Sequence, residues 1–388
     1  YKNIGERIFV KENKENVGQI KPGTEILSIN ETNVSDLINK YRKLYSSDGE
    51  NKTFQKYFIN LTFFNYYTLE NGYLDSVKLK TLCDNATNEV HLKRQKKETK
   101  QTEDKKAKPK VTVDQKLQDY DAVSKSYNRS FKFMKSDSSV AYIKIKSFSA
   151  TYARKFYDRT FRKIKKANSD YLIIDIRDNL GGSLSEINTL YSYLTDKKFA
   201  LIKSPEMTSK TSGMHQNYFR GHSLLSGILS APGYPFFLAG NYLLSSKKNE
   251  KYYFREFNAR ATKPKENAFT GKIYVLVNGA SFSASSIISA KLKYDKRAVI
   301  VGEETGGAND GTVAGVNNTV ILPNSHLSLP IGLFLIRPNI EFAGQKKGVI
   351  PNFYVDPNFD DIFGNEDAIL SWTLDDIDFR NSITNKPN

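Results

Sequence analysis

Ile273-Tyr274-Val275-Leu276-Val277-Asn278 runs directly into Gly279-Ala280-Ser281-Phe282-Ser283-Ala284-Ser285-Ser286, and an amphipathic run opens at Ile287. The β-branched and aromatic residues predict a strand, the small residues a tight turn, and the run from Ile287 a helix. This is the layout of a nucleophile turn, in which a strand end presents a hydroxyl and the next helix offers backbone N–H groups. Serine also caps helices, so an ordinary strand-to-helix connection fits the same residues. The neighbouring sequence has to decide between the two readings.

The same pattern recurs on both sides. Tyr171-Leu172-Ile173-Ile174-Asp175-Ile176-Arg177 is nearly continuous in apolar residues, as expected of a strand buried on both faces. It ends at Asp178-Asn179-Leu180-Gly181-Gly182-Ser183, and a helix carrying Ile187, Leu190, Tyr191 and Leu194 follows. Upstream, Ser139–Phe148 alternates with a period of two and predicts a strand, and Tyr152–Ala167 carries Phe156, Phe161 and Ile164 at helical spacing. Ala298–Gly302 is another short apolar run. Strands alternating with helices predict an α/β layered core. Sites in an open α/β sheet gather at the carboxyl ends of the strands. The turns at 179–182 and 281–286 would then set a hydroxyl beside backbone donors, a nucleophile beside an oxyanion hole. Glycine suits the first turn because it accepts dihedrals closed to other residues.

The amino-terminal part reads differently. From Val17 to Val34, Pro22-Gly23 and Asn30 to Asn33 supply turns around two short strands, and Ser35 is the expected cap of a helix through Leu37 and Ile38. Lys56–Thr62 and Ser76–Lys80 read as further strands, so a small β-rich domain over residues 1–92 is expected. Residues 93–118 form a charged linker or loop, with ten Lys and Arg between Lys93 and Lys116, interspersed acids and no aromatics. The core is expected over 119–388, with a long irregular insertion at about 203–260 that has the length of a lid or decoration.

Composition narrows the function. The 388 residues carry 58 Lys and Arg against 42 Asp and Glu, a net charge of +16. Much of the excess lies in the 93–118 stretch, which lacks the aromatic platforms of single-strand binders, so no nucleic-acid partner is expected. Cys83 is the only cysteine, which rules out an intrachain disulfide and a cysteine metal cluster. No metal-ligand spacing and no phosphate-loop Lys-Ser pair occurs, so no cofactor is expected. Leu224–Leu244, the most apolar region, is interrupted by Gly227, Pro232, Gly233, Pro235 and Gly240, and no integral membrane segment is expected. The chain opens at Tyr1 with no signal peptide, as a mature or trimmed form would. The oligomeric state is not legible.

These motifs together resemble the C-terminal processing peptidases, also called tail-specific proteases, and their tricorn-like relatives. The resemblance runs in the family's order through "PGTEILSIN", "VAYIKIKSF", "LIIDIRDNLGG", "YVLVNGASFSASS", "AVIVGEETGG" and "GVIPNFYVDP", and is strongest to proteins of the Bacteroidetes envelope. It implies a crotonase/ClpP-like α/β peptidase core of β-α-β layers with a smaller β-rich PDZ-like domain, the latter with Thr24 for the usual Asp and Glu31 for the usual Gly. It also implies a hydrolase, a serine-type endopeptidase acting on extended or C-terminally recognised polypeptides, in the periplasm or as a surface lipoprotein. The central serine of the family motif maps to Ser283, and the oxyanion donors map to Ala284 and to Gly181 or Gly182.

The proton acceptor departs from the pattern. Ser-Lys members carry a lysine after the "VGE" strand, where this chain has Thr305-Gly306-Gly307-Ala308. The family glutamate after the serine motif is Ser286 here. Tricorn-like members use a histidine on the strand resembling 140–148, which here offers Lys144, and a late glutamate whose position Glu341 approximates. Lys144 and Glu341 are therefore candidates for base and orienter, with Lys144 also suited to the solvent side of an amphipathic strand. His91 lies near the linker, His215 and His222 in the long insertion, and His326 after Pro323, and a lone histidine in a loop is more often solvated or structural. Because a serine needs a partner to take its proton, an inactive peptide-binding protein on the same scaffold stands beside the enzyme reading.

Overall fold

The computed structural model describes residues 1–13, 20–94, 112–122, 124–219, 223–313, 315–341, 346–364 and 366–384. Val17 to Gln19, most of the charged 93–118 stretch and His222 lie outside the described residues.

The central sheet has six strands in the order Phe353–Tyr354, Ala298–Gly302, Lys272–Val277, Tyr171–Asp175, Val140–Ile145, Arg129–Phe133. All neighbours are parallel except the last pair. Lys144 pairs with Asp175, Asp175 with Leu276, and Val277 with Gly302, so the turns that follow three strands leave one edge of the sheet together. One face carries Ala141, Ile143, Leu172, Ile174, Ile273 and Val275 against helices Ala153–Ala167, Leu184–Ser192 and Ala284–Tyr294. The other carries Val140, Tyr142, Tyr171, Ile173, Tyr274 and Leu276, covered by Ile369 and Ile377 of the Ala368–Thr384 helix. That late helix explains why the 140–145 strand, although its sequence alternates, is buried on both faces.

A second, antiparallel sheet uses Lys2–Ile4, Arg7–Phe9, Glu25–Ile29, Ser76–Cys83 and Ala86–Lys93, with Thr32–Asn33 beside the third. Here two expectations are corrected. Lys56–Thr62 is not a strand; it lies inside the helix Thr53–Asn71. Aromatic and β-branched residues favour strand locally, but Ile59, Phe63 and Tyr67 recur every four residues and bury one helical stripe against Ile29, Ile38 and Leu79. Tertiary packing overrode propensity. The preceding helix, Val34–Arg42, starts two residues earlier than expected, with Asn33 rather than Ser35 at its cap position.

The described residues of the insertion form regular elements. Glu206–Met207, Ser245–Lys248 and Lys251–Phe254 join Leu335–Ile336 and Thr312–Val313 in a five-stranded sheet, and two helices, Leu224–Ser230 and Tyr234–Leu244, lie within it.

Two ion-pair clusters tie the central sheet to its turns. Arg129 and Glu186, both fully buried, form two hydrogen bonds of 2.8 Å. Glu186 also accepts from Tyr157 Oη at 2.8 Å and from the Ala150 N–H at 2.6 Å. At the other face, buried Asp175 accepts from Arg177 at 2.9 and 2.7 Å and from Tyr142 Oη at 2.7 Å, with Lys144 Nζ at 3.3 Å. Arg177 reaches on to Asp367, ahead of the late helix, at 2.6 and 2.7 Å. Burial alone would raise the Asp175 and Asp367 carboxyls, but the Arg177 guanidinium outweighs it and holds both below the usual range.

Two expectations follow. Arg129→Met leaves the Glu186 carboxylate buried without its cation and should cost about 3–5 kcal/mol in urea unfolding. Arg129→Met with Glu186→Leu should recover at least half of that loss. Because the Asp175 and Asp367 pKa values are depressed on folding, they contribute stability that is present above about pH 4 and lost as pH falls below it. Arg177→Met should therefore be destabilising at neutral pH, with its deficit against the wild type narrowing in unfolding titrations as pH drops through that range.

Candidate active site

Ser283 ends the connection from the Lys272–Val277 strand to the Ala284–Tyr294 helix, with φ +53° and ψ −113°. A residue with a Cβ rarely adopts such a conformation, which costs about 1–3 kcal/mol and persists only where its surroundings enforce it. The surroundings are visible. The Phe282 N–H donates to Asn179 O at 3.0 Å, Ser285 N–H to Phe282 O at 3.0 Å, and Ile287 N–H to Ser283 O at 3.0 Å. Three of the four serines in the turn are tied down: Ser281 Oγ donates to Ile176 O at 2.8 Å, Ser285 Oγ to Asn179 O at 2.8 Å, and Ser286 Oγ to Ser281 O at 3.2 Å. Ser283 is the exception. Its hydroxyl bonds to nothing among the described residues, and it is half-buried rather than enclosed.

The glycine turn lies against it. Gly181 has φ +106°, and a Cβ placed there would meet Ser283 Cβ at 2.8 Å and Ala284 N at 2.9 Å. A side chain at Gly181 would thus occupy the space beside the first N–H of the helix. Gly182, at φ +134°, approaches the Phe148 carbonyl, and the Ser183 N–H donates to Phe148 O at 2.6 Å. Asn179, fully buried, clamps the turn: its Nδ2 donates to Ile145 O at 3.0 Å and its Oδ1 accepts from the Gly181 N–H at 2.8 Å. The Gly181 donor is therefore engaged, whereas the Gly182 and Ala284 N–H groups have no acceptor among the described residues.

A third turn, Glu303–Ala308, closes the other side. A Cβ at Gly307 would lie 2.8 Å from Ser283 N, so glycine is needed for this approach. The amino-terminal part reaches this turn. Asn51 Nδ2 donates to Thr305 O at 2.9 Å, Thr53 Oγ1 to Glu304 O at 2.9 Å, and Lys56 pairs with Glu303 at 3.0 Å. Asp48 accepts from the Ala308 N–H at 3.1 Å, and burial pushes its carboxyl up. The Phe54 ring lies 4.6 Å from that of Phe282, the residue before Ser283. Tyr57, one turn on, is pushed up to about 12 by burial and by the neighbouring Asp178. Sequence reasoning missed these residues. Asn51 and Thr53 precede a segment that reads as a strand, and nothing local shows that they face a turn more than 250 positions away.

The structure thus brings Ser283, Ala284, Gly181 and Gly182 into one small region. It does not bring Lys144 or Glu341 into hydrogen-bond contact with Ser283. Lys144 is directed to Asp175 on the next strand rather than to solvent alone, and about a third of its side chain is exposed. Glu341 is exposed, just beyond the Leu335–Ile336 strand. Ala308, where the resemblance placed a lysine, is buried and bridges to Gly348. Glu303 and Glu304 do not form a carboxylate pair, since Glu303 meets Lys56 while Glu304 accepts from the Gly348 N–H.

The chain aligns with the solved structure of mature CPAF complexed with lactacystin, at 17% identity and a TM-score of 0.60, over 96% of this chain and 80% of that one, a likeness of fold. A solved protein from Parabacteroides merdae is 18% identical with a TM-score of 0.43, over 64% of this chain, which spans 63% of that protein. The photosystem II D1 C-terminal processing protease is 16% identical with a TM-score of 0.36, over 91% and 69%. No curated protein matches the sequence. Residues 139–355, more than half of the chain, match the model of peptidase family S41, and this stretch holds the glycine turn, the Ser283 turn and the Glu303–Ala308 turn. The chain belongs to peptidase family S41, a family of serine peptidases.

Proposed function

We propose that the chain is a serine endopeptidase that cleaves extended polypeptides through Ser283. The observation that carries this reading is the contrast within one turn: three serine hydroxyls are bonded to carbonyls, while the strained Ser283 keeps its own free. Ser283 Oγ attacks the scissile carbonyl carbon, whose π electrons move to its oxygen. The N–H groups of Ala284 and Gly182 then stabilise that oxyanion, with Gly181 shaping the hole rather than donating into it. Collapse, with the proton taken from Ser283 handed to the nitrogen, expels the amine and leaves an acyl-serine for water to hydrolyse. The serine proton needs an acceptor. Lys144 is the candidate on the adjoining strands, once released from Asp175, with Glu341 as an orienter brought in when substrate binds.

The division into a PDZ-like unit over 1–92, a charged connection over 93–118 and a peptidase core over 119–388 fits this reading. The first unit would capture a chain end by strand addition, and its Asn51–Lys56 segment already touches the turn beside Ser283. The sequence resemblance to Bacteroidetes envelope proteins supports a periplasmic or surface-lipoprotein location. One observation favours a second reading, an inactive peptide-binding protein: Ala308 replaces the expected lysine, and no basic side chain among the described residues bonds to Ser283.

A fluorophosphonate probe separates the two. Labelling should map to Ser283 and vanish in Ser283→Ala, and Gly181→Ala should slow it by about 100-fold or more by crowding the oxyanion site. Absence of both label and cleavage of a disordered polypeptide across about pH 6 to 9 would instead support the binding protein. Lys144→Met should abolish cleavage while keeping the urea midpoint above that of Asp175→Asn, which also breaks the bonds from Arg177 and Tyr142; cleavage that survives it removes Lys144 as the base.

A further inference from the structure

Between Arg220 and Lys247 the sequence contains no Asp, Glu, Lys or Arg. The two helices in this stretch, Leu224–Ser230 and Tyr234–Leu244, are nevertheless at the surface. Leu225 and Leu229 are 68% and 74% exposed, and Phe236 and Leu243 are each 80% exposed. Leu225, Ile228 and Leu229 share one face of the first helix by their spacing, as do Phe236 and Leu243 on the second. The inward face of the second helix is already used. Its Tyr234 and Phe237 rings lie 5.5 and 5.0 Å from Tyr218, and buried Asn241 donates to Phe237 O at 2.9 Å. Phe236 and Leu243 therefore belong to a second apolar face on the same helix. A helix apolar all round normally has a partner on every side, and exposed apolar patches of this kind mark interaction surfaces.

The rim of the patch indicates which partner. Residues 203–260 carry eight Lys and Arg against three Glu and no Asp. Lys210 Nζ lies 3.7 Å from the ring centre of Tyr242, and Lys247 and Lys248 follow the second helix directly. A second copy would bring this positive rim, on a chain of net charge +16, against its own kind. An anionic bilayer surface uses both features. Apolar side chains enter the acyl boundary, tyrosine lies at the interface, and lysines meet the phosphates. Among the described residues no helix is long and apolar enough to cross a membrane, so the helices would lie in the interface plane.

We propose that the 224–244 helix pair docks the protein on an anionic lipid bilayer, with Lys247 and Lys248 supplying the preference for negative headgroups. The full chain should co-sediment with phosphatidylcholine vesicles containing phosphatidylglycerol, and about tenfold less with phosphatidylcholine alone. Phe236→Ser with Leu243→Ser should weaken binding to the anionic vesicles by about tenfold or more at unchanged circular dichroism and thermal midpoint, since both side chains are exposed. Lys247→Gln with Lys248→Gln should remove most of the headgroup preference. Equal sedimentation of the Phe236/Leu243 variant and the wild type overturns the proposal, as does no binding to either vesicle. Light scattering that shows a wild-type oligomer dissociated by the same two substitutions, without vesicle binding, assigns the patch to a second copy instead.

Discussion

Everything in the site depends on the close approach of three backbone turns around one strained serine. Gly181 on one side and Gly307 on the other come so near Ser283 and Ala284 that a single added methyl at either would displace them. The strain at Ser283, about 1–3 kcal/mol, is offset by a set of hydrogen bonds each worth about 1 kcal/mol net. Asn179 receives the Phe282 N–H and the Ser285 hydroxyl on its carbonyl, while its side chain holds Gly181 and Ile145. Because several bonds hold one unfavourable conformer, the turn keeps its shape before any substrate arrives, as preorganised electrostatic stabilisation requires.

The turns owe their positions to charge pairs buried beneath them. Glu186 lies in the first turn of the helix that follows Gly182, and its bonds to Arg129, Tyr157 and Ala150 fix that helix to the edge strand and to the loop after the 140–145 strand. On the opposite face, Asp175 and Arg177 connect the strand before the glycine turn to Asp367, ahead of the helix that covers the sheet. Neither cluster touches Ser283. Both set where the chain leaves the sheet, so they act on the site through geometry. The amino-terminal unit adds a third constraint, since Asn51, Thr53 and Phe54 pack on the Glu303–Ala308 turn and on Phe282. The amino-terminal part thus borders both the Glu303–Ala308 turn and the turn that carries the serine.

How much of this could be read beforehand depended on whether the signal was local. The α/β core and its two glycine- and serine-rich junctions were legible because buried parallel strands and tight turns leave dense composition signals, and the S41 family match agrees with that reading. The helix Thr53–Asn71 was misread because Lys56–Thr62 is rich in strand formers, and its four-residue period emerges only when Phe63 and Tyr67 are included. The partner of Lys144 was not legible at all. Asp175 lies 31 positions away and becomes a neighbour only through the parallel register of the two strands. The insertion looked irregular because its strands are two to four residues long, and Glu206–Met207 pairs with Lys251–Phe254 more than forty positions on and with Leu335 beyond the insertion.

The central claim is that Ser283 forms the covalent intermediate. The most direct measurement is the mass of the full chain quenched shortly after mixing with an activated peptide ester, followed by mapping of the adduct. The account requires a single acyl group on the peptide that contains Ser283, transient with time. An adduct on another residue, or none while the ester is still hydrolysed, would contradict it.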